Sequence, residues 1–394
     1  MSDELNEEKQ PKEYDLVLGG NNPPPTDGLV LGGIEGLKLQ FNNANSEEKK
    51  IAILQKALAY GETGEAWLLD LIATENDKIQ WLAAVLLSNT KNKIYKELLL
   101  EYFADFIPKN VDSWNEYKQT LPNFEINLSA INIGYNKELH QVDFSKVNLK
   151  KANLSNLLLY EINFFQTNLS QINLKNTTVV SSNIKQSNLE NANLTKALFY
   201  GAELDEVNLS NAIFVDTDFC NNACIQNMLI DHSYSFSNTS FSDIIFKNVT
   251  FKNVNLQNIY FYGSSFENVV FDNCNLISAD FRIDCIANLI FKDSNLENIR
   301  LMLSNLKGVK FDCVNLRGAD FRWSDLTGVN FTGLDVRGAN FTRCTFGNNN
   351  LDKANTKGAK FSSINSPRFP PNLKTSNLKG ALFDDQHYYE PGYE

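Results

Sequence analysis

Histidine and cysteine are the side chains that most often supply general bases, nucleophiles and zinc ligands. The sequence contains three histidines, His140, His232 and His387, which are far apart along the chain. None of them falls into a serine, cysteine or carboxylate pattern with the spacing of a catalytic site. We therefore predict that the protein is not an enzyme and has no catalytic residue, no cofactor and no bound metal ion.

The six cysteines also lack the spacing of a reactive site. Cys220 and Cys224 are a close pair, but they have no zinc or redox motif and no histidine partners nearby. A metal site is the alternative, and structural thiols are the interpretation that we favour. The charged N-terminal sequence has no signal-peptide core, and no apolar run reaches the ~18 residues of a membrane span. These features predict a cytoplasmic protein.

A glycine- and proline-rich segment is the one place where the sequence could cradle a phosphate group. The tetrad VLGG occurs at residues 17–20 and 30–33, on either side of three consecutive prolines. A phosphate-binding loop would need a following GK[ST] between a strand and a helix, and this segment has neither. We interpret residues 14–45 as a leader that packs or docks as a strap, after a disordered acidic tail at residues 1–13.

Any functional side chain must be positioned by the rest of the chain, which is organised by a five-residue period. From Phe144, sixteen successive fifth positions hold an aliphatic or aromatic residue. After a slip of two residues between Leu229 and Phe236, the period continues to Phe361 with Thr356 as its polar exception. A small or β-branched residue usually stands two positions earlier. Because a period of five fits neither a helix nor a strand, the pattern indicates a solenoid.

Units such as ANLSN, ANLTK, VNLRG, ADFRW and ANFTR resemble the A(D/N)LXX pattern of the pentapeptide-repeat protein family. The resemblance implies a right-handed quadrilateral β-helix, with one pentapeptide on each face and four in each coil. The central Leu or Phe and the small residue two positions before it would point inward and stack on their equivalents in the next coil. The expected fold class is therefore mainly β.

The segment before the repeats changes to a helical period. Residues 46–123 are predicted to form short paired helices, the first of them capped by Ser46. They resemble HEAT-like α-solenoid units of the kind seen in cyanobacterial multidomain proteins. We predict that this domain, or the segment 114–131, covers the open end of the β-helix. The β-helix is predicted at residues 124–365, followed at 366–394 by the last repeats after a proline-rich break and by a C-terminal cap.

The net charge of −11 is unevenly distributed, with −8 in residues 1–123 and −3 in residues 124–394. The family resemblance raises one alternative function, because some pentapeptide-repeat proteins mimic duplex DNA and bind DNA gyrase or topoisomerase. Duplex DNA carries one negative charge per ~1.7 Å, so a mimic must be strongly acidic. The nearly neutral repeat region argues against mimicry, and it also lacks the clear basic stripe of a nucleic-acid binder.

The outward positions of one predicted face are unusually rich in aromatic, aliphatic and arginine residues, a composition typical of binding hot spots. The candidate partner surface comprises Tyr260, Tyr262, Arg282, Ile283, Arg300, Met302, Leu303, Arg322 and Trp323. Packing against the protein's own helical domain and scattered surface residues are the alternatives. We predict a non-enzymatic protein–protein interaction scaffold or adaptor whose partner is another protein, of unknown identity, or a second copy of the chain.

Overall fold

The computed structural model describes residues 32–75, 77–133, 138–232, 236, 238–282, 285–364 and 380–383. The chain divides into two compact units, Met1–Leu128 and Ser129–Glu394. The predicted acidic tail, most of the leader, the proline-rich break and nearly all of the C-terminal cap lie outside the described residues. The first unit is helical and the second is a β-helix, so the predicted fold class is confirmed.

Six α-helices form the described part of the first unit. They are α1 (Gly33–Asn43), α2 (Glu47–Ala57), α3 (Glu62–Thr74), α4 (Asp77–Leu87), α5 (Lys93–Lys109) and α6 (Val111–Gln119), with a 3₁₀ turn at Leu58–Tyr60. The Ser46 hydroxyl accepts a hydrogen bond from the Lys49 backbone N–H at 3.4 Å, which is the predicted N-cap. Helix α1 lies inside the predicted strap, so the helical region begins well before residue 46.

Aromatic side chains form the core of the helical unit. Trp81 and Trp114 are fully buried and meet edge to face, with ring centroids 5.9 Å apart. Phe103 packs on Trp114 with the same geometry at 5.9 Å. These rings join α4, α5 and α6 into one core, because edge-to-face pairs combine apolar burial with a favourable ring geometry. Whether this unit covers the first coil of the β-helix stays a prediction.

Parallel strands one coil apart build the second unit. The first sheet contains β1 (Glu138–His140), β2 (Leu158–Tyr160), β3 (Thr178–Val180), β4 (Leu198–Tyr200), β6 (Asp218–Cys220) and β8 (Ser240–Phe241). The second contains β5 (Glu203–Asp205), β7 (Cys224–Ile230), β9 (Ile245–Lys252), β10 (Ser265–Asp272), β11 (Cys285–Lys292) and β12 (Lys310–Asp312). Strands β13 (Lys360–Phe361) and β14 (Leu382–Phe383) form a further pair. Isolated parallel bridges continue the same register between the strands.

The inward positions stack directly on one another along the β-helix. Phe261 lies between Phe241 and Phe281, with centroid distances of 5.5 and 4.5 Å. Polar residues at the small inward position bond to the backbone of the preceding coil, as Ser264 does by donating to the Phe241 carbonyl at 2.8 Å. Thr356, the exception in the sequence pattern, is likewise fully buried. The five-residue period is therefore the period of the core.

Asn349 shows how a larger polar side chain fits the small inward position. Its Nδ2 donates to the Val329 carbonyl at 3.1 Å and also to the Leu326 carbonyl. Its Oδ1 accepts the Gly347 backbone N–H at 2.6 Å. The buried amide thus has partners at both ends, as buried polar groups require. Asp284, the other polar residue predicted at such a position, lies outside the described residues.

The predicted two-residue slip between Leu229 and Phe236 is wrong in its position. Leu204 pairs with Ile225, and Ile230 pairs with Phe251, each 21 residues away. Ile225 and Ile230 are buried, whereas Leu229 is 57% exposed. One extra residue therefore falls before Ile225 and a second one after Ile230. The sequence suggests the wrong residue because Leu229 and Ile230 satisfy an apolar pattern equally well.

The first extra residue is absorbed at a corner formed by Asn221 and Asn222. Both have left-handed backbones, with φ of 55° and 62°, a conformation that asparagine tolerates better than most residues. The strands on either side keep their alignment, and Phe219 pairs directly with Phe241 across the insertion. The first sheet therefore runs past the insertions without a break, and its face continues into the second half of the β-helix.

Candidate interaction face

Eight of the nine residues predicted for the partner surface lie on one face, and Ile283 lies outside the described residues. Parallel bridges join Tyr260 to Asp280, Arg300 and Asp320 in successive coils, in line with the first sheet. We use the name Tyr–Arg face for the outward residues Tyr260, Tyr262, Asp280, Arg282, Arg300, Met302, Leu303, Asp320, Arg322, Trp323 and Arg343. Two tyrosines, Leu303 and Trp323 are each about half exposed or more, so the face presents a large apolar area to its surroundings.

Two aspartates that the sequence analysis did not select hold the arginines in place. Arg282 donates from Nε and Nη2 to the two carboxylate oxygens of Asp280 at 2.8 and 2.7 Å. Arg322 binds Asp320 in the same way, at 2.9 and 2.7 Å. These hydrogen bonds raise the pKa of both guanidinium groups, which stay charged. The sequence contains these ion pairs as the triplet DFR at residues 280–282 and 320–322, in which the central Phe points into the core and the Asp and Arg flank it.

The two aspartates differ in burial. The Asp280 side chain is 1% exposed, whereas that of Asp320 is 22% exposed. A buried carboxylate needs a close cation and good geometry to offset its loss of hydration. Asp280 has a second cation nearby, because Arg300 Nη1 lies 3.8 Å from its Oδ2. The carboxylate therefore anchors the guanidinium groups of two neighbouring coils.

Aromatic rings fix the arginines from a second side. The Arg282 guanidinium lies 4.8 Å from the centre of the Tyr262 ring, and that of Arg343 lies 4.3 Å from the Trp323 ring. Such cation–π contacts are favourable at exposed sites. Because Asp280 and Tyr262 hold the Arg282 guanidinium from two sides, that side chain has little conformational entropy left to lose when another molecule binds. This preorganisation is typical of binding surfaces.

The corner of this face carries two unexpected residues. Leu303 and Trp323 have left-handed backbones, with φ of 59° and 65°. They are the two large apolar side chains among the left-handed residues that the structure describes, where Asn, Lys, Gln, Asp and Gly predominate. A bulky residue in this conformation costs about 1 kcal/mol. Left-handed backbone is the regular corner conformation of this β-helix, so the unusual feature of Leu303 and Trp323 is their exposed apolar side chains.

The same face begins with other exposed apolar residues in the first half of the β-helix. Tyr160 and Tyr200 pair through β2, β3 and β4 and point outward from the first sheet. Leu158 and Leu198, on the other side of the inward residue, are half-buried. Strand β8 pairs with β6, and its Ser240 forms a parallel bridge with Tyr260. The exposed residues of the first half therefore lie on one continuous face with the Tyr–Arg face.

Outside the Tyr–Arg face, the described residues form a small cavity and open grooves. No group of three or more His, Cys, Asp and Glu side chains there could hold a metal ion. A small cavity of about 10 Å³ lies in the helical unit beside Lys78 and Trp81. Shallow open grooves lie at Leu39–Ile53 of the helical unit and between Cys313 and Arg337 of the β-helix. Among the described helices, none has both the length and the apolar character to cross a bilayer.

The buried thiols should be inert while the protein is folded. Burial raises the pKa of Cys274 to about 11 and that of Cys344 to about 12, so neither forms an appreciable amount of thiolate near neutral pH. We expect a thiol reagent at about pH 8 to modify exposed Cys313 and to reach Cys274 and Cys344 only on unfolding. Mass mapping of the labelled cysteines, with Cys313→Ser as control, tests this. Rapid labelling of Cys344 in the native protein would contradict the expectation.

The same shift predicts a dependence of stability on pH. The pKa of Cys344 is raised from 9.0 to about 12, so folding favours its protonated form. Its stabilising contribution is complete below about pH 9 and is lost as the pH rises towards about 12. The Cys344→Ala variant should lose less stability than the wild type over that interval.

Two family models match the β-helix. The model described as "Pentapeptide repeat region" matches residues 264–341. The model described as "Pentapeptide repeats (8 copies)" matches residues 143–179, 158–195, 182–219, 235–268 and 324–362. Together these matches span more than half of the chain. No curated protein sequence matches it.

Several solved structures are similar to the chain. HetL, a pentapeptide-repeat protein involved in heterocyst differentiation regulation from the cyanobacterium Nostoc sp. strain PCC 7120, is 18% identical, with coverage of 59% of this chain and 84% of HetL and a TM-score of 0.23. QnrB1, a plasmid-mediated fluoroquinolone resistance protein, is 16% identical, with coverage of 57% and 90% and a TM-score of 0.21. Rfr23 from the cyanobacterium Cyanothece 51142 is 16% identical, with coverage of 37% and 88% and a TM-score of 0.11.

Proposed function

The chain belongs to the pentapeptide-repeat family, and we propose that it is a non-enzymatic scaffold or adaptor that binds a protein partner, either another protein or a second copy of the chain, through the Tyr–Arg face. The observation that carries this proposal is the pair of exposed apolar corners, Leu303 and Trp323. Leu303 is 64% and Trp323 52% exposed, at corners where polar residues and glycine predominate. A contact that buries both side chains would account for their presence.

The composition of the face supports a protein partner in particular. Trp, Tyr and Arg are the residues most enriched in protein–protein hot spots, and all three occur here side by side. Arg282 and Arg322 keep their charge while their carboxylate partners limit the net positive potential of the face. A polyanion would be held better by unpaired basic residues in a continuous stripe.

Mimicry of DNA is the weaker candidate. A chain that imitates duplex DNA would need an acidic rod, because the duplex carries one negative charge per ~1.7 Å. Residues 124–394 carry a net charge of only −3, and Asp280 and Asp320 on the candidate face are neutralised by arginines. We include in the proposal a HEAT-like helical unit as a second contact module, and a cytoplasmic location.

Capture from an extract of the source cells, with the full chain immobilised, tests the proposed function. The double variant Leu303→Asn/Trp323→Asn removes both apolar side chains and puts a residue that favours the left-handed conformation in their place. We expect the variant to fold at least as stably as the wild type and to bind the captured protein at least about thirty-fold more weakly. Mass spectrometry identifies the partner, and its purified form gives the affinity.

Cys313→Asn is the matched control, because Cys313 is an exposed left-handed corner outside the Tyr–Arg face. It should bind the partner as tightly as the wild type. Equal binding by all three proteins would refute the assignment of the partner to this face. Recovery of gyrase or topoisomerase subunits in a Trp323-independent manner would favour the mimic.

A further inference from the structure

The continuous face that contains the Tyr–Arg face has opposite charge at its two ends. Its first half, from Glu138 to Asp243, carries four carboxylates and no Lys or Arg among its outward columns: Glu138, Glu161, Asp218 and Asp243. Its second half, from Tyr260 to Lys360, carries Arg282, Arg300, Arg322, Arg343 and Lys360 against the two carboxylates Asp280 and Asp320. The surplus positive charge therefore lies at the C-terminal end of the face.

The two halves also differ in the size of their side chains. In the column that contains the left-handed corners, the first half holds Ser181 and Gly201 where the second half holds Leu303 and Trp323. Beside the midpoint, the first half holds Ser240 and the second half Tyr260. The midpoint lies between the coils of Ser240 and Tyr260. A small residue a given number of coils before it thus corresponds to a bulky residue the same number of coils after it.

From these two asymmetries we infer that the face binds a second copy of the same chain, face to face and antiparallel. This inference rests on the proposed function, because it names the occupant of the same face. The two-fold axis would lie along the strand direction, between the coils of Phe241 and Phe261. Such an interface is isologous, so each contact occurs twice and the assembly closes as a dimer.

The axis determines which residues meet. Residues at equivalent positions in successive coils form a column along the face, and each column faces the same column of the second copy with the order of its coils reversed. Glu161 then faces Arg343 of the second copy, and Glu138 faces Lys360. Gly201 faces Leu303, Ser181 faces Trp323, and Tyr200 faces Met302. At both ends of the interface acidic residues thus meet basic ones, and small residues meet large ones, which is the complementarity that interfaces need. Near the axis Asp218 faces Asp280, whose charge is offset by Arg282. A parallel dimer would place the acidic halves against each other, and like charges in contact are unfavourable.

The face is long enough for such a dimer. Parallel pairs and bridges one coil apart align its outward residues from Glu138 to Lys360. Roughly eleven coil steps of ~4.8 Å separate Leu139 from Phe361, so the face is ~53 Å long. With a width of about three extended residues, its flat footprint is roughly 500 Å². Protruding Tyr, Trp and Arg side chains raise the contact area toward the ~800 Å² per partner of a stable interface.

Sedimentation analysis of the full chain with exchanged charges tests the inference. The first variant, Glu138→Lys/Glu161→Lys, makes both ends of the face basic, and the second, Arg343→Glu/Lys360→Glu, makes both ends acidic. We expect the wild type to be a dimer that weakens with added salt, and each variant alone to dissociate at least about a hundred-fold more readily. An equimolar mixture of the two variants should form a heterodimer of wild-type stability, because each exchanged residue again faces a residue of opposite charge.

The alternatives give different results. A wild-type chain that stays monomeric at all concentrations overturns the inference, as does a dimer that neither charge variant weakens. If the monomeric chain still captures another protein in a Trp323-dependent manner, the proposed function stands and only the identity of the occupant is wrong. If neither self-association nor Trp323-dependent capture occurs, both proposals fail.

Discussion

Replacing Phe261 with alanine is expected to lower the free energy of unfolding of the β-helix by about 3–5 kcal/mol. The Phe261 ring is fully buried and lies in the middle of the stack, between Phe241 and Phe281. It also meets Phe246 and Phe266 edge to face at 5.6 and 5.7 Å. The neighbouring rings are held by the coils above and below, so they cannot collapse into the space that the substitution creates.

The position of Phe261 makes a second effect measurable. In a solenoid, each coil contacts only its neighbours, so a weakened coil in the middle uncouples the two ends. We expect the Phe261→Ala variant to unfold in urea with a lower slope than the wild type, or in two separate steps. Phe261→Leu, which keeps most of the apolar volume, should lose about 1 kcal/mol and remain cooperative. A loss below 1 kcal/mol in the alanine variant would contradict this account of the core.

The second large effect is expected at Arg282. Its replacement by alanine leaves the Asp280 carboxylate, which is 1% exposed, with Arg300 at 3.8 Å as its remaining cation among the residues that the structure describes. Removing one partner of a fully buried ion pair costs about 3–5 kcal/mol. Because the Arg282 side chain is 37% exposed and Arg300 compensates in part, we expect roughly 2 kcal/mol here. Urea denaturation followed by circular dichroism measures the difference.

Arg322→Ala is the matched control for this prediction. Arg322 binds Asp320 with the same two-point geometry, but the Asp320 side chain is 22% exposed and keeps its contact with water. We therefore expect a loss below about 1 kcal/mol, as for other solvent-accessible ion pairs. Equal losses in the two variants would show that carboxylate burial does not govern the stability of this face.

The fold could be predicted from the sequence because the repeat period reports the core directly. From Phe144 to Phe219 every fifth residue is apolar, since each coil turns four corners with one pentapeptide on each face. The same arithmetic placed Tyr260, Arg300 and Trp323 on one face, because residues one coil apart must align when strands pair in parallel register. A period of this kind can be recognised in the sequence without knowledge of any individual contact.

Only the structure shows which of several suitable residues occupies the core or forms an ion pair. Spacing fixes how many residues are inserted between Phe219 and Phe236, but only the packing selects Ile230 over Leu229 for the core. Likewise, the sequence reveals arginines on the face, whereas the burial of Asp280 decides which of them is held rigidly. The left-handed corners at Leu303 and Trp323 are visible only as backbone angles, since sequence spacing does not measure strain.

The sequence by itself therefore determined the solenoid, its inward residues and the membership of each face, because these follow from a fixed repeat. The tertiary structure decided where the repeat is interrupted, which charges are paired and which apolar side chains stay exposed. Those features arise from contacts between neighbouring coils, and their energies depend on burial and geometry that a one-dimensional pattern does not contain.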